Sequence, residues 1–532
     1  MRRILLILAC FGTPLVLAQT PDVSVAADSG YNGWNWNSVV ARNGIITLAI
    51  VPSIGGRVMQ YDVGSNPSVF VNPSEIGKTY TPANNGQWHN FGGFKTWPAP
   101  QSRWNTSGWP PPPILDGGRY SYSIDSISRA SGSVAVAVSS PAEQWLTPKL
   151  RFERTARIFA GSSRIRMDET MINDSSEAVS WSMWGITQSI VSHPGLADYQ
   201  NFWVYFPINP KSTFGPAGAS PRGSDTSSGW KGEIAPGVFG LQFTPSNALL
   251  YADPAKGWIA YADLRDSVVF AKTFDVYDGL AYPDGGARVS VYVSGAIAPV
   301  YMEVEVKSPV VQIGANGGAY TFEENWWGAK VHGPVLDVDS VGAIGERLGY
   351  SPDSQLLTGR YGVFYEGMAK VAFLDDRGAT LVEGSAHPIT PLTEFHLQET
   401  LAIPTGARKT EVRVYDVAGS LAGILDTAAV DNLLSSAPAV HEPAGRDFNL
   451  SPNYPNPFNG GTVVTFFCPR SEPGTLKIYD LLGREVAVLE SGELAAGEHR
   501  ITWNPAHVAT GVYLAALQIP GLRMVERLLY LR

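Results

Sequence analysis

The chain has 532 residues, with 39 Lys+Arg against 48 Asp+Glu and a formal charge of −9; at roughly 150 residues per domain, that is room for about three domains with real cores. Hydrophobic residues at 44% exclude a disordered chain, and charged residues at 16% are too few for a coiled coil. The acidic balance and the lack of a Lys/Arg run argue against a nucleic-acid partner, since phosphate binding needs clustered positive charge, and no apolar run beyond the N-terminus approaches the roughly 20 residues of a spanning helix.

The first residues read as a secretory signal: Arg2 and Arg3, an apolar stretch from Ile4 to Leu17, and a small-residue cleavage site at Val16-Leu17-Ala18. Residues 1–18 are therefore assigned as the signal peptide and 19–30 as an N-terminal segment. Cys10 leaves with the signal and Cys468 stands alone in the mature chain, so no intramolecular disulfide and no cysteine-based zinc site is expected.

Periodicity along the mature chain is two rather than 3.6. Ser133 to Val138 and Arg288 to Val293 alternate as half-buried strands do, and Asn43-Gly44, Asp116-Gly117, Asp278-Gly279 and Asp284-Gly285 read as turns between strands. The expectation is an all-β protein. Fourteen of the 15 Trp fall between Trp34 and Trp327, which marks a first unit ending near residue 332.

Within that unit the stretch from Trp88 to Tyr120 holds Trp97, Trp104, Trp109 and the run Pro110 to Pro113. Its prolines deny ladder donors, so it is expected to be a long ordered loop rather than a strand, and such loops are disproportionately functional. Its aromatics have two readings: a core plug, or a platform on which sugar C–H faces stack. Arg57, His89, Asn90, Lys95, Trp97, Trp109 and Arg119 supply the mixture of apolar lining and placed polar groups that a sugar site needs.

The Gly55-Gly56-Arg57 turn, the Asn90-Phe91-Gly92-Gly93 loop with Lys95-Thr96-Trp97-Pro98, and Tyr301-Met302-Glu303-Val304-Glu305 resemble the galactose-mutarotase-like superfamily over residues 31–332. The resemblance implies a β-supersandwich with a sugar-binding concave face, a glutamate base at Glu303 and a histidine acid at His89, with Glu305 beside them. Ring opening needs proton removal and donation together, yet Ser180 to Gln188, the strand expected to carry the second histidine, has none. Epimerase chemistry is thereby in doubt while sugar binding is not. From alternation alone, Glu303 and Glu305 share a face with Tyr301 and Lys307, which also reads as a solvated strand face. Asp337, Asp339, Asp375 and Asp376 show no fixed-spacing calcium loop, and no nucleophile elbow occurs. No metal and no cofactor is assigned.

Residues 333–432 lack Trp and read as short strands, among them Tyr361 to Tyr365, Ala369 to Leu374 and Thr410 to Tyr415, the spacing of an Ig-like β-sandwich. A Pro/Gly-bearing linker follows over 433–447. The last unit, 448–532, carries Leu450-Ser451-Pro452-Asn453-Tyr454-Pro455-Asn456-Pro457-Phe458-Asn459, Leu476 to Val486, Gly497 to Trp503, Thr510 to Leu514 and Leu528 to Arg532. By itself this is a small Ig-like sandwich. These residues closely resemble the C-terminal sorting domain of type IX secretion in Bacteroidota and related bacteria, with one departure at Gly460-Gly461-Thr462, where Pro-Ser-Thr is usual. The resemblance implies the type IX machinery as partner and an extracellular or outer-membrane-surface location, anchored or released, with no chemistry in the unit itself. The chain as a whole is expected to be a secreted or surface carbohydrate-binding protein. The alternatives are an enzyme on the same fold, a sugar epimerase or one acting on polysaccharide, and a structural surface protein.

Overall fold

The computed structural model describes residues 23–435 and 448–531, apart from 85, 106, 126–131, 146–148, 197, 451–452, 454–455, 469–470, 496, 506–507 and 521. The signal peptide and most of the linker expected from the sequence lie outside them. The chain divides into two compact units, Met1–Pro438 and Ala439–Arg532.

The all-β expectation holds. The first unit is built on two large antiparallel sheets. One runs in the order Ser24–Asp28, Ser38–Arg42, Ile46–Val51, Arg57–Val63, Phe94–Ala99, Val179–Ser189, Met302–Lys307, Val289–Val293, Ala248–Ala252, Ala219–Pro221. The other runs from Trp230–Ala235 through Phe202–Pro207, Trp258–Asp263, Gly318–Lys330 and Ile165–Asn173 to Ser121–Asp125. The two sheets share a continuous core in which Phe94, Met183, Val304 and Val306 of the first sheet join Phe152, Met167, Phe270 and Trp326 of the second. This is a supersandwich.

Two sequence expectations are corrected here. Phe94–Ala99 is a strand at the middle of the large sheet, not part of a loop, and Asp116-Gly117 closes a short helix, Pro113–Gly117, instead of turning between strands. Pro98 is tolerated because the strand ladders fully with only one neighbour. Ser182 to Thr187 pair along its length, whereas on the other side only Phe94 pairs, with Val58. Pro98 therefore lies beyond the laddered part of that edge, where no donor is missed.

A smaller sandwich follows in the same unit. One sheet holds Gly342–Ser351, Leu356–Val363 and Phe395–Thr400, the other Gly367–Leu374, Lys409–Asp416 and Leu421–Ala429. Its core of Ile344, Leu357, Tyr361, Val371, Phe373 and Val412 is its own. A second apolar cluster joins it to the supersandwich, with Trp327 stacked on Phe364 at 5.1 Å.

The second unit is a two-sheet sandwich of Thr462–Cys468 and Gly497–Trp503 against Glu472–Asp480, Glu485–Leu494, Gly511–Ile519 and Leu522–Tyr530. Val464, Phe466, Leu476, Leu517 and Trp503 fill it, together with the buried lone thiol of Cys468.

Candidate functional site

Three adjacent strands of the large sheet set the site: Phe94–Ala99, Val179–Ser189 and Met302–Lys307. Their register places Ile186 opposite Lys95 on one side and Glu305 on the other, and places Gln188 opposite Glu303. Paired residues in an antiparallel ladder share a face, and every second residue returns to it. Lys95 and Trp97, Trp184 and Gln188, and Glu303, Glu305 and Lys307 therefore converge on one side, while Met302, Val304 and Val306 enter the sandwich core.

The solvated-face reading of Glu303 and Glu305 fails. Glu305 is 1% exposed, Lys307 0% and Glu303 9%, so loops cover this face and its charges must be paired. Lys95 Nζ donates to Glu303 Oε1 at 2.9 Å, and Gln188 Nε2 donates to the same oxygen at 2.9 Å. Trp184 Nε1 donates to Glu305 Oε2 at 2.9 Å. Lys307 Nζ reaches Asp284 Oδ2 at 2.8 Å and Ser290 Oγ at 2.6 Å. Both lysines also lie over indole faces, Lys95 4.6 Å from the Trp97 centroid and Lys307 4.9 Å from that of Trp184.

The two carboxyls differ in environment. Burial first, and then the charge of Glu303, push Glu305 up to about 7, against the pull of Lys307 and hydrogen bonds from Ser290 and Trp184. Glu303 keeps two donors and the more open position. Two carboxyls with different surroundings thus occupy consecutive same-face positions of one strand.

At the open side stand the rings of Trp88 and Trp109, 5.1 Å apart edge to face, with Trp109 43% exposed. Trp88 also lies 5.8 Å from Lys95 Nζ. The Asn90 side-chain oxygen accepts from the Gly92 N–H at 3.4 Å, and the Tyr301 ring stacks on Phe70 at 5.5 Å. Trp97 is buried instead, with its indole N–H donating to Asp116 at 2.8 Å.

Other sequence-nominated residues do not join the cluster. Arg57 is fully buried, ion-paired to Asp116 at 2.7 Å and donating to the Gly92 carbonyl at 3.1 Å. It reaches the site only through Asp116, which it shares with Trp97. His89 turns to Glu75, 3.1 Å from Nδ1, and stacks on Tyr80 at 4.5 Å. Arg119 is exposed on the segment that follows the Pro113–Gly117 helix. Sequence reasoning missed Gln188, Trp184, Lys307 and Trp88. Gln188 had a visible signal, as the polar residue ending a strand already suspected of carrying a site group.

Comparison with known proteins gives one family match: residues 453–529 fit the model for a secretion system C-terminal sorting domain. The C-terminal unit is thus the type IX export signal, and the protein is directed to the cell surface or the extracellular space. No curated protein matches the chain. Among solved structures, a putative aldose 1-epimerase from Klebsiella pneumoniae is similar at 11% identity, over 57% of this chain and 83% of that one, with a TM-score of 0.41. A galactose mutarotase-like protein from Clostridium acetobutylicum is similar at 10% identity, over 58% and 99%, with a TM-score of 0.36. A TPR-domain containing protein from Parabacteroides distasonis is similar at 11% identity, over 57% and 49%, with a TM-score of 0.40.

Proposed function

We propose that this exported chain is a carbohydrate-binding protein whose ligand stacks against the Trp88–Trp109 pair and hydrogen-bonds Glu303. The observation that carries this reading is Glu303 itself: a carboxylate held by Lys95 and Gln188, still partly open, beside indole rings at the rim. Sugar rings present apolar C–H faces and hydroxyl donors at once, and this site offers a stacking surface together with a fixed acceptor. Lys95 and Gln188 hold Glu303 in one orientation, so little side-chain entropy is lost when a ligand binds.

The test is a glycan array probed with the mature protein, followed by calorimetry on the strongest ligand. Glu303→Gln removes a charge-assisted hydrogen bond worth about 1.5–3 kcal/mol, so affinity should fall at least about tenfold. Trp109→Ala should weaken binding as well. No binding on the array, or unchanged affinity in both variants, refutes the proposal.

One observation favours a second reading, a sugar epimerase. Glu305, pushed up to about 7, supplies a proton donor beside the Glu303 base where no histidine stands. General acid and base catalysis each contribute about 10²–10⁴-fold when the groups reach the reacting atoms. Polarimetry of fresh α-glucose and α-galactose decides between the two: acceleration at micromolar protein that Glu305→Gln abolishes makes the protein an enzyme.

A further inference from the structure

At one end of the supersandwich, turns from both sheets bring together side chains that the sugar reading does not use. His193 follows the Val179–Ser189 strand, and Asp263 and Asp266 lie at the turn between Trp258–Asp263 and Val268–Phe274. His193 Nε2 lies 2.9 Å from Asp263 Oδ2 and 3.3 Å from Asp266 Oδ2. One ligand atom from each of the three residues falls within 4.8 Å of the others.

Three details separate this group from a chance cluster of acids. The first is orientation: His193 Nδ1 lies 2.6 Å from Asp198 Oδ2, and since a carboxylate only accepts, Nδ1 carries a proton and Nε2 is the ring atom turned to Asp263 and Asp266. Asp198 is itself fixed by the His193 backbone N–H at 3.1 Å, with Arg265 Nη1 3.5 Å away. The second is an unmet need. Nε2 is buried and makes no hydrogen bond, although two carboxylate oxygens lie close to it. Asp263, 3% exposed, spends Oδ1 on the backbone N–H groups of Arg265 and Asp266, while Oδ2 faces Nε2 without a hydrogen bond. The third is distance: two atoms bound to one ion at about 2.1 Å and roughly 90° apart lie about 3 Å from each other, to the side of the imidazole lone-pair axis. An N–H on that axis would miss such an oxygen, as it does here.

We infer that His193, Asp263 and Asp266 bind a divalent transition-metal ion of the Zn²⁺ or Mn²⁺ class. One imidazole and two carboxylates suit such ions, and Asp198 takes the orienting role that outer-shell carboxylates hold for metal-bound histidines. Asn66 Nδ2 donates to Asp266 Oδ2 at 3.0 Å and orients the third ligand. The Asp266 side chain is 34% exposed and gives the solvent side of the site. His193 also helps to wall a cavity of about 610 Å³ with Phe70, Ile190, Leu196 and Val300.

The experiment uses the full mature chain, freed of metal with chelator and then titrated with Zn²⁺, Mn²⁺ and Ca²⁺ separately by calorimetry, with equilibrium dialysis for stoichiometry. One Zn²⁺ or Mn²⁺ per chain is expected, with a rise in the thermal unfolding midpoint of the tryptophan-rich unit. Asp266→Asn, at a partly exposed side chain, should lower affinity at least tenfold while the metal-free midpoint stays unchanged. His193→Gln should abolish binding, and Asp198→Asn should weaken it 10–100-fold. Absence of binding, a preference for Ca²⁺ over both transition ions, or affinity unmoved by Asp266→Asn and His193→Gln overturns the site. In the first case a proton on Nε2 occupies the place assigned to the ion.

Discussion

Replacing Glu169 by Gln should flatten the pH dependence of stability. Glu169 lies between the two large sheets with no exposed surface, and its Oε2 accepts a hydrogen bond from Thr96 Oγ1 at 2.8 Å. Burial first and the charge of Glu324 second push its carboxyl from 4.5 up to about 8, with Lys272, Thr96 and Arg154 pulling the other way. The folded chain therefore holds a proton that the unfolded chain releases between about pH 4.5 and 8. Stability from this group is complete below the lower value and is lost as pH rises through the upper one. Each pH unit inside that window costs up to about 1.4 kcal/mol, a total on the order of 5 kcal/mol. Gln mimics the protonated acid, keeps an acceptor for Thr96 and cannot titrate. The assay is urea unfolding at intervals from pH 5 to 8.5, followed by tryptophan fluorescence, since 14 of the 15 Trp lie between Trp34 and Trp327. Wild-type stability should fall across the range, and the variant should fall less steeply by up to about 1.4 kcal/mol per unit. Parallel profiles for the two proteins would refute the reasoning.

Gly185→Ala would place a Cβ 2.6 Å from Glu324 Oε1 and 3.2 Å from Glu169 Oε1, both buried, so a loss of about 1–3 kcal/mol is expected in the same urea assay. Arg57→Met strands the buried Asp116 carboxylate and should cost about 3–5 kcal/mol, part of which Asp116→Asn in the same chain restores. Removal of residues 439–532 should leave the tryptophan-reported unfolding transition in place, because the first unit has its own cores, and should hold the protein in the periplasm of a type IX-competent host. Fractionation that finds the truncated chain at the surface would contradict this.

Much of the architecture was legible in the sequence because it is written locally. Strand periodicity, turn dipeptides and the density of Trp depend on neighbours a few residues apart, and so does the sorting signal from Leu450 to Phe458. Glu303 and Lys95 could be nominated by type and setting. What could not be read was pairing across distance. Lys95 and Glu303 stand 208 positions apart and meet only because their strands flank Val179–Ser189. Alternation put Glu303, Glu305 and Lys307 on one face but could not say whether water or loops would cover it, and loop cover turned an apparently solvated face into a buried ionic row. Arg57 looked like a ligand-binding residue until Asp116 was found to neutralise it inside the core. Pro98 argued for a loop because its effect depends on which edge of the strand is laddered. His193 carried no motif, since Asp263 and Asp266 reach it from a turn some 70 residues further along the chain. Side-chain chemistry is local to the sequence, whereas burial and charge partners are properties of contacts that form only when distant strands pair and the sandwich closes.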